Sequence, residues 1–307
     1  MTTAAIFTAT GTQGSSVVNG LVQRFGKNLS LRLLTRNPTA PRTTAAFSKY
    51  EGKADIDLVK ADITDPDSIK AALKGVKVVF ANSNSYDDME KEVPQLEAVI
   101  DIAKAEGVEL FVWSTLPSCA QISNGRFKEV THFENKAKIQ AYLEKSGLKW
   151  ASVSLGFFAE NVVNYQLAKP TEDGKGVEIS FAVLKPETDV AWTWVARDLG
   201  PAVAHLFQAH IDNKNPELFG KIWPVASYQG SFKKLGDIIA ARTGKQVTYN
   251  TPAQSYSAEM TEMSEFYNAH GLYADATLPP PELKDAGAPF STLEQFVDEA
   301  VLPSLKL

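Results

Sequence analysis

Apolar positions follow two different periods along the first 155 residues, and this predicts a series of strands and helices. The apolar run that begins at Ala4 breaks at Gly11 and Gly14, and apolar residues then recur at helical spacing from Val17 to Phe25. A strand, a tight turn and a helix in this order present backbone N–H groups and a positive helix end to a phosphate group. Glycines at such a turn also serve simply to pack a helix closely against a strand, so the turn alone leaves both interpretations open.

Further strand-like and helical patterns alternate after this first unit. Strands are predicted over residues 29–35, 57–66 (a short strand closing on a turn), 77–80, 110–115 and 150–155. Helices are predicted over residues 69–73, with Asp67 and Ser68 as caps, 92–106 and 132–146. Five strand–helix units imply an α/β fold with a right-handed, doubly wound parallel sheet of the Rossmann type, which binds ligands at the carboxyl edge. We assign residues 1–155 to this domain.

The strict alternation ends after residue 155, and residues 156–307 are predicted to form a smaller α+β region that covers the cleft. Strands are expected over residues 177–183, 222–226 and 247–249, and helices from a cap at Asp198 toward Phe207 and over residues 232–242, 258–270 and 293–301. The aromatic residues of this region indicate either an aromatic pocket or ordinary core; among them are Phe157, Phe158, Trp192 and Trp194.

Composition narrows the functional classes. A net charge of −5 and a pI near 5.5 provide no basic field for direct nucleic-acid binding, although a local patch or a partner protein stays open. The single cysteine, Cys119, excludes an intrachain disulfide and suits the cytoplasm or the nucleus. No apolar stretch approaches the roughly 20 residues that span a bilayer. We expect a protein that neither enters a membrane nor is secreted.

Residues after the predicted strands suggest which dinucleotide is bound. Arg36 follows the second strand where an acid would select NAD, and an arginine there suits the 2′-phosphate of NADP, so we expect NADP(H). The alternative is a solvated loop arginine. Asp62, after the third strand, is either an adenine contact or a turn former. Asn82 follows the fourth strand among small polar residues that would line the cleft.

His132 and Lys136 are the candidate reactive pair, because a spacing of four places them on one face of a helix. Short-chain dehydrogenases carry Tyr-x-x-x-Lys at this point of the fold, and here histidine takes the place of tyrosine. His132 is either a proton donor or an ordinary first-turn residue, and Lys136 either binds the cofactor ribose or, if burial lowers its pKa, donates a proton. Ser114 and Thr115 either polarise a substrate carbonyl or satisfy backbone groups. The other histidines lack metal-ligand spacing, so no metal is expected.

Several segments together resemble the NmrA-like family of atypical short-chain dehydrogenase/reductase proteins, most closely its fungal members. They are residues 8–14 (TATGTQG), 34–38 (LTRNP), 60–62 (KAD), 111–116 (FVWSTL), 132–136 (HFENK) and 155–161 (LGFFAEN). The resemblance implies NADP(H) with Gly11, Thr12, Gln13 and Gly14 at the pyrophosphate and Arg36 at the 2′-phosphate. It further implies Asp62 near adenine, and Asn82, Lys136, Phe157 and Phe158 around the ribose and nicotinamide. Thr8, in place of the usual glycine, and His132 depart from the family pattern.

This family divides into two functional classes. One comprises dinucleotide sensors and transcriptional co-regulators, which bind NAD(P) without turnover and act on a protein partner. The other comprises NADPH-dependent reductases of aromatic, quinone or enone molecules, in which hydride transfer is paired with a proton relayed by the lysine. The missing tyrosine favours the redox sensor, with the reductase acting through Lys136 as the alternative. A third possibility is an interaction module in which Thr8 prevents cofactor binding. The oligomeric state stays open.

Overall fold

The computed structural model describes residues 1–285 and 288–306, and thirteen strands lie in this part of the chain. Strands β1 to β6 are Thr2–Ile6, Leu29–Thr35, Asp55–Lys60, Val78–Ala81, Leu110–Thr115 and Trp150–Leu155. Strands β7 to β13 are Phe157–Phe158, Ala168–Pro170, Gly176–Ser180, Asp189–Thr193, Ile222–Val225, Tyr228–Ser231 and Gln246–Asn250.

Helices connect these strands. Helices α1 to α7 are Thr12–Phe25, Pro41–Ser48, Pro66–Leu73, Glu92–Ala105, Cys119–Ile122, Thr131–Lys145 and Asn161–Asn164. Helices α8 to α13 are Val195–Ile211, Phe232–Thr243, Ala258–His270, Pro281–Asp285, Leu293–Phe296 and Leu302–Leu305, with a π-helical turn at Val297–Val301 between the last two. No helix of the described part of the chain has the length and apolar character needed to cross a bilayer.

Seven strands form one parallel sheet in the order β11, β6, β5, β4, β1, β2 and β3. The strand order reverses between β1 and β4, and a crevice opens outside the carboxyl ends of the strands at such a switch point. The prediction of a doubly wound Rossmann-type sheet is therefore confirmed. A dinucleotide would lie in the crevice at this switch point.

Alternate residues of the strands bury two opposite faces of the sheet under helices. On one face, Ile6 of β1 and Val112 of β5 belong to the same apolar core as α1 and α8; on the other face, Phe111 and Trp113 of β5 pack with α3, α4 and α6. Both faces of the sheet are thus covered, which is why its strands read as nearly continuous apolar runs in the sequence.

The second half of the chain contributes to this same sheet. Strand β11 pairs in parallel with β6, and helix α8 packs along α1. Glycines make that helix contact possible, because a Cβ added to Gly20 would lie 2.3 Å from the backbone carbon of Gly200. Residue 155 therefore marks the end of the uninterrupted strand–helix series, after which the chain leaves the sheet and returns to it.

The remaining elements form the smaller α+β region. Two three-stranded sheets, in the orders β12, β10, β7 and β13, β9, β8, enclose an aromatic core. The Phe157 ring meets Trp192, Phe181 and Phe232 with centroids 5.1 to 5.6 Å apart. Trp192 is fully buried. These aromatic residues are core, which is the second of the two interpretations that the sequence allowed.

Two predicted helix caps need correction. Helix α2 was not predicted, and Asp65 rather than Asp67 or Ser68 caps α3, since its side chain accepts the Ser68 N–H at 3.3 Å. Asp198 does not cap α8. The helix begins three residues earlier at Val195, and the Asp198 carboxylate is buried inside the first turn, where it accepts hydrogen bonds from Ser227 and Ser291.

Candidate functional site

The N-terminus of α1 lies directly after β1, at the switch point of the sheet. Gly11 precedes the helix, and its N–H donates to the carbonyl of Thr8 at 2.8 Å, which closes the turn. Within the described chain no side chain caps α1, its first turn contains no acid, and Thr12 is exposed. The first-turn N–H groups and the positive end of the helix dipole are therefore available to an anion.

Thr8 and Gly14 determine the shape of this turn. A Cβ added to Gly14 would lie 2.2 Å from the Thr8 carbonyl oxygen, so only glycine fits there. Thr8 itself has a φ of 44°, in the left-handed region where glycine is the usual residue. Its hydroxyl donates to the side-chain oxygen of Asn82, which follows β4. Thr8 thus preserves the glycine conformation and ties together the two strands that border the crevice.

Gln13 gives a further indication of what this turn can hold. Its side-chain oxygen is buried and has no hydrogen-bond partner among the described residues. A buried acceptor of this kind needs a donor, and a ribose hydroxyl supplies one. The open helix end, the close approach at Gly14 and the Gln13 oxygen together fit a dinucleotide.

Arg36 and Asp62 follow β2 and β3 at the same edge. The Arg36 side chain is 74% exposed, and its guanidinium lies 3.9 Å from the Asp87 carboxylate. Asp62 accepts the N–H and the hydroxyl of Thr64 at 2.9 and 2.8 Å, and chiefly the backbone bond lowers its pKa. Asp62 is therefore a turn former here, whereas Arg36 is accessible to a ligand.

Lys136 lies inside a closed polar network under the crevice. Its ammonium donates to the Ser83 carbonyl at 3.3 Å, the Ser83 hydroxyl at 2.9 Å and the Glu92 carboxylate at 3.2 Å. The side chain is 9% exposed and lies over the Trp113 ring, with Nζ 5.2 Å from the centroid. A lysine ammonium has three N–H donors, so all three are used within the protein.

Glu92 completes this network from the first turn of α4. One of its carboxylate oxygens accepts the hydroxyls of Ser83 and Ser85 at 2.5 and 2.8 Å, and the other accepts the Asn135 amide at 3.2 Å. Burial raises the pKa of Glu92, but the Lys136 charge and these hydrogen bonds outweigh it and hold the pKa below its usual value. Burial is also the main cause that lowers the pKa of Lys136, against the opposing effect of Glu92.

Glu92 was not predicted as a site residue, although the sequence contains a signal for it. Glu92 precedes Leu96, Val99 and Ala103 at helical spacing, so it lies on the buried face of α4. A buried carboxylate requires a cationic partner, and the periodicity of α4 therefore predicts one.

His132 makes its hydrogen bonds outside this network. Its Nδ1 lies 2.6 Å from the Glu259 carboxylate, which also accepts the His132 backbone N–H at 2.9 Å. Glu259 is in the first turn of α10, so the histidine joins α6 to the smaller region. Its ring packs against Tyr86 and Phe133. The structure thus gives His132 the structural role that the sequence left open beside the catalytic one.

The two hydroxyl residues at the end of β5 are both buried. Thr115 donates to the backbone carbonyl of Lys136 at 3.2 Å and so satisfies a backbone group. Ser114 is 2% exposed and, by strand alternation, points to the opposite face of the sheet from Trp113 and Lys136. Neither hydroxyl is brought together with the Lys136 ammonium.

Phe157 and Phe158 do not both line the crevice. Phe157 is 8% exposed and surrounded by the aromatic core of the smaller region, which contradicts its predicted place beside the nicotinamide. The reason is that β7 pairs with β10 and turns this ring inward. Phe158 is half-buried against the apolar core around α1 and α8. Only Phe158 retains partial exposure.

The model of the NmrA-like family matches residues 1–297. The chain belongs to the NmrA-like family. A Dictyostelium discoideum protein with an NmrA-like domain is 29% identical over 278 residues, covering 87% of each chain. The NmrA-like domain-containing oxidoreductase FrzB of a Cladobotryum species is 26% identical and covers 94% of this chain and 82% of its own.

Solved structures share the fold of this NmrA-like protein over almost its whole length. The negative transcriptional regulator NmrA in complex with NADP has a TM-score of 0.77 at 16% identity and covers 99% and 97% of the two chains. The Escherichia coli NADPH-dependent quinone oxidoreductase QOR2 in complex with NADPH has a TM-score of 0.73 at 21% identity, with coverages of 97% and 99%. The match to the family model confirms the predicted family, and the predicted cofactor is the one held by these structural neighbours.

Proposed function

We propose that this NmrA-like protein binds NADP(H) and acts as a redox sensor or co-regulator, without dehydrogenase turnover. The uncapped α1 terminus with Gly11, Thr12, Gln13 and Gly14 would hold the pyrophosphate, and the exposed Arg36 would hold the 2′-phosphate. When bound, the cofactor supplies a nicotinamide whose oxidation state can be read. A protein that binds a dinucleotide without converting it can pass on the redox state only by binding another molecule. The proposal therefore includes a protein partner in the cytoplasm or the nucleus.

The observation that carries this proposal is the closed hydrogen bonding of Lys136. All three ammonium donors are directed at Ser83 and Glu92, and His132 is bonded to Glu259. In this arrangement the Lys136 ammonium has no N–H left for a substrate, and Nδ1 of His132 is occupied by Glu259. Reductase chemistry is accelerated by an acid within hydrogen-bond reach of the substrate oxygen that takes up the proton.

A specific observation also supports the reductase alternative. Burial lowers the pKa of Lys136, which makes its ammonium a stronger acid than that of an exposed lysine. FrzB is named an oxidoreductase, and QOR2 is an NADPH-dependent quinone oxidoreductase. On this alternative, Lys136 would leave one of its present acceptors and donate a proton to a quinone, enone or other aromatic small molecule.

Two measurements on the purified protein test the proposal. Calorimetric titration should detect binding of NADP⁺ and NADPH, with lower affinity in Arg36→Ala. Mixtures with NADPH and a panel of quinones, aldehydes and enones should retain the absorbance of reduced nicotinamide. Absence of any dinucleotide affinity would contradict the whole proposal and support a pure interaction module. Turnover that Lys136→Ala abolishes would instead establish the reductase.

A further inference from the structure

Arg36, the proposed ligand of the 2′-phosphate, already faces a carboxylate of the protein. The closest atoms are Arg36 Nη2 and Asp87 Oδ2, 3.9 Å apart. Asp87 lies in the segment between β4 and α4, which follows the strand on the other side of the switch point from β2. The carboxylate thus approaches Arg36 from the neighbouring side of the crevice.

The Asp87 carboxylate is held in place by a local turn. The Asn84 side-chain amide donates to Asp87 Oδ1 at 2.6 Å, and the Asp87 N–H donates to the Asn84 carbonyl at 3.1 Å. One carboxylate oxygen is therefore fixed by Asn84, while the other is directed at Arg36. The turn therefore restrains the Asp87 side chain, which would otherwise rotate freely at the surface.

The ion pair contributes little to folding, because both side chains are largely exposed, at 74% and 53%. The pair instead affects how strongly a negatively charged ligand can bind at Arg36. A 2′-phosphate bound to Arg36 carries negative charge to within a few ångströms of Asp87, where the two like charges repel. NAD lacks that phosphate and meets no such repulsion.

We propose that Asp87 is a specificity-determining residue, which competes with the 2′-phosphate for Arg36 and so reduces the preference for NADP over NAD. This inference rests on the proposed binding of NADP(H) with Arg36 at the 2′-phosphate. Asp87 lowers the affinity for NADP and leaves that for NAD unchanged. The ratio of NADP affinity to NAD affinity is therefore smaller than it would be with Arg36 and no aspartate beside it.

The same segment connects this position to the rest of the crevice. Ser83 and Ser85 precede Asp87 and bind Glu92 of the Lys136 network. Tyr86, its direct neighbour, packs on the His132 ring with centroids 5.7 Å apart, and its hydroxyl lies 3.5 Å from the sulfur of Met260 in α10.

The test is a calorimetric titration of NADP⁺ and NAD⁺ into the full chain and the variant Asp87→Asn. Removal of one exposed like charge should raise the NADP⁺ affinity about two- to fivefold and leave the NAD⁺ affinity unchanged. The gain should decrease as salt is added, because exposed charges are screened. The ratio of the two affinities is the decisive readout, since a merely structural effect would move both together.

Asp88→Asn is the matched control, because it removes the same charge one residue further along, where Asp88 pairs with Lys91 at 3.1 Å. This control should leave the ratio of affinities as in the unmodified chain. An unchanged ratio in Asp87→Asn, or an equal change in Asp88→Asn, would overturn the inference. Arg36→Ala separates the two levels of the proposal. If it weakens NADP⁺ binding while Asp87→Asn has no effect, only the role of Asp87 is wrong; if it has no effect, the phosphate site itself is wrong.

Discussion

Lys136 and Glu92 form an ion pair that is almost completely removed from water, with side chains 9% and 2% exposed. A buried pair of this kind does not by itself stabilise a protein relative to an apolar pair, because both charges lose their hydration. Removal of one partner is different, since it leaves the other charge buried alone. Ser83, Ser85 and Asn135 supply the hydrogen bonds that make the pair tolerable.

For this ion pair we predict that Glu92→Gln lowers the free energy of unfolding by about 3–5 kcal/mol at neutral pH. The cause is the uncompensated ammonium of Lys136, which must either lose its proton or remain charged without a counterion. Urea unfolding followed by circular dichroism measures the change. The exposed Glu90→Gln is the control and should change stability by less than about 0.5 kcal/mol. A loss in Glu92→Gln no larger than that of the control would exclude the buried pair.

The acid dependence of stability provides a second residue-scale prediction. The pKa of Glu92 is lowered on folding from its usual 4.5, so its contribution is complete above that value and is lost as the pH falls through the folded-state pKa. Stability should therefore decrease below about pH 4.5 less steeply in Glu92→Gln than in the unmodified chain. Urea unfolding at a series of acidic pH values measures both slopes. Parallel curves for the two proteins would contradict the lowered pKa.

Among the elements, α1 serves both the crevice and the core. Its N-terminus forms the open anion-binding end, while Gly20 lies against Gly200 of α8. Ser16 adds a polar contact there, since its hydroxyl donates to the Val195 carbonyl at 2.5 Å and accepts the Gly200 N–H at 3.1 Å. The position of α1 on the sheet, and with it the turn at Gly14, depends on α8 from the second half of the chain.

Gly20→Ala tests this contact, because two effects predict opposite signs. Alanine in place of glycine within a helix stabilises it by about 1 kcal/mol when the site is open. Here the added Cβ would lie 2.3 Å from the Gly200 backbone, so we expect a net loss of about 1–3 kcal/mol in unfolding free energy. Thermal unfolding measures it, with the exposed Gln23→Ala of the same helix as control. A more stable Gly20→Ala protein would show that the helices are farther apart.

At the scale of the whole molecule, local features were predictable and long-range pairings were not. The first strand, the glycine turn and α1 follow from apolar period and glycine spacing, and helix α10 has the predicted bounds of residues 258–270. Strand β11 was predicted as a strand, but not as the seventh strand of the main sheet. Its place depends on the free edge that β6 offers, and nothing in the local pattern encodes that edge.

The same division between local features and long-range pairings holds for the site residues. Its glycines, Arg36 and Lys136 were identified from sequence, because motif spacing identifies the residues that a dinucleotide requires. Their partners were not, since Glu92 is 44 residues from Lys136 and Glu259 is 127 residues from His132. These distant carboxylates are the hydrogen-bond partners of the two candidate acids. The sequence could therefore predict cofactor binding but could not distinguish a sensor from a reductase.

In the proposed function, this NmrA-like protein holds NADPH without using Lys136 as an acid. A single-turnover experiment tests it most directly, with protein in excess over NADPH, a quinone added, and the absorbance of reduced nicotinamide followed in time. Protein in excess removes any masking by slow product release. The proposed sensor role predicts bound NADPH with no protein-dependent decay. A decay that requires the protein and disappears in Lys136→Ala would contradict it.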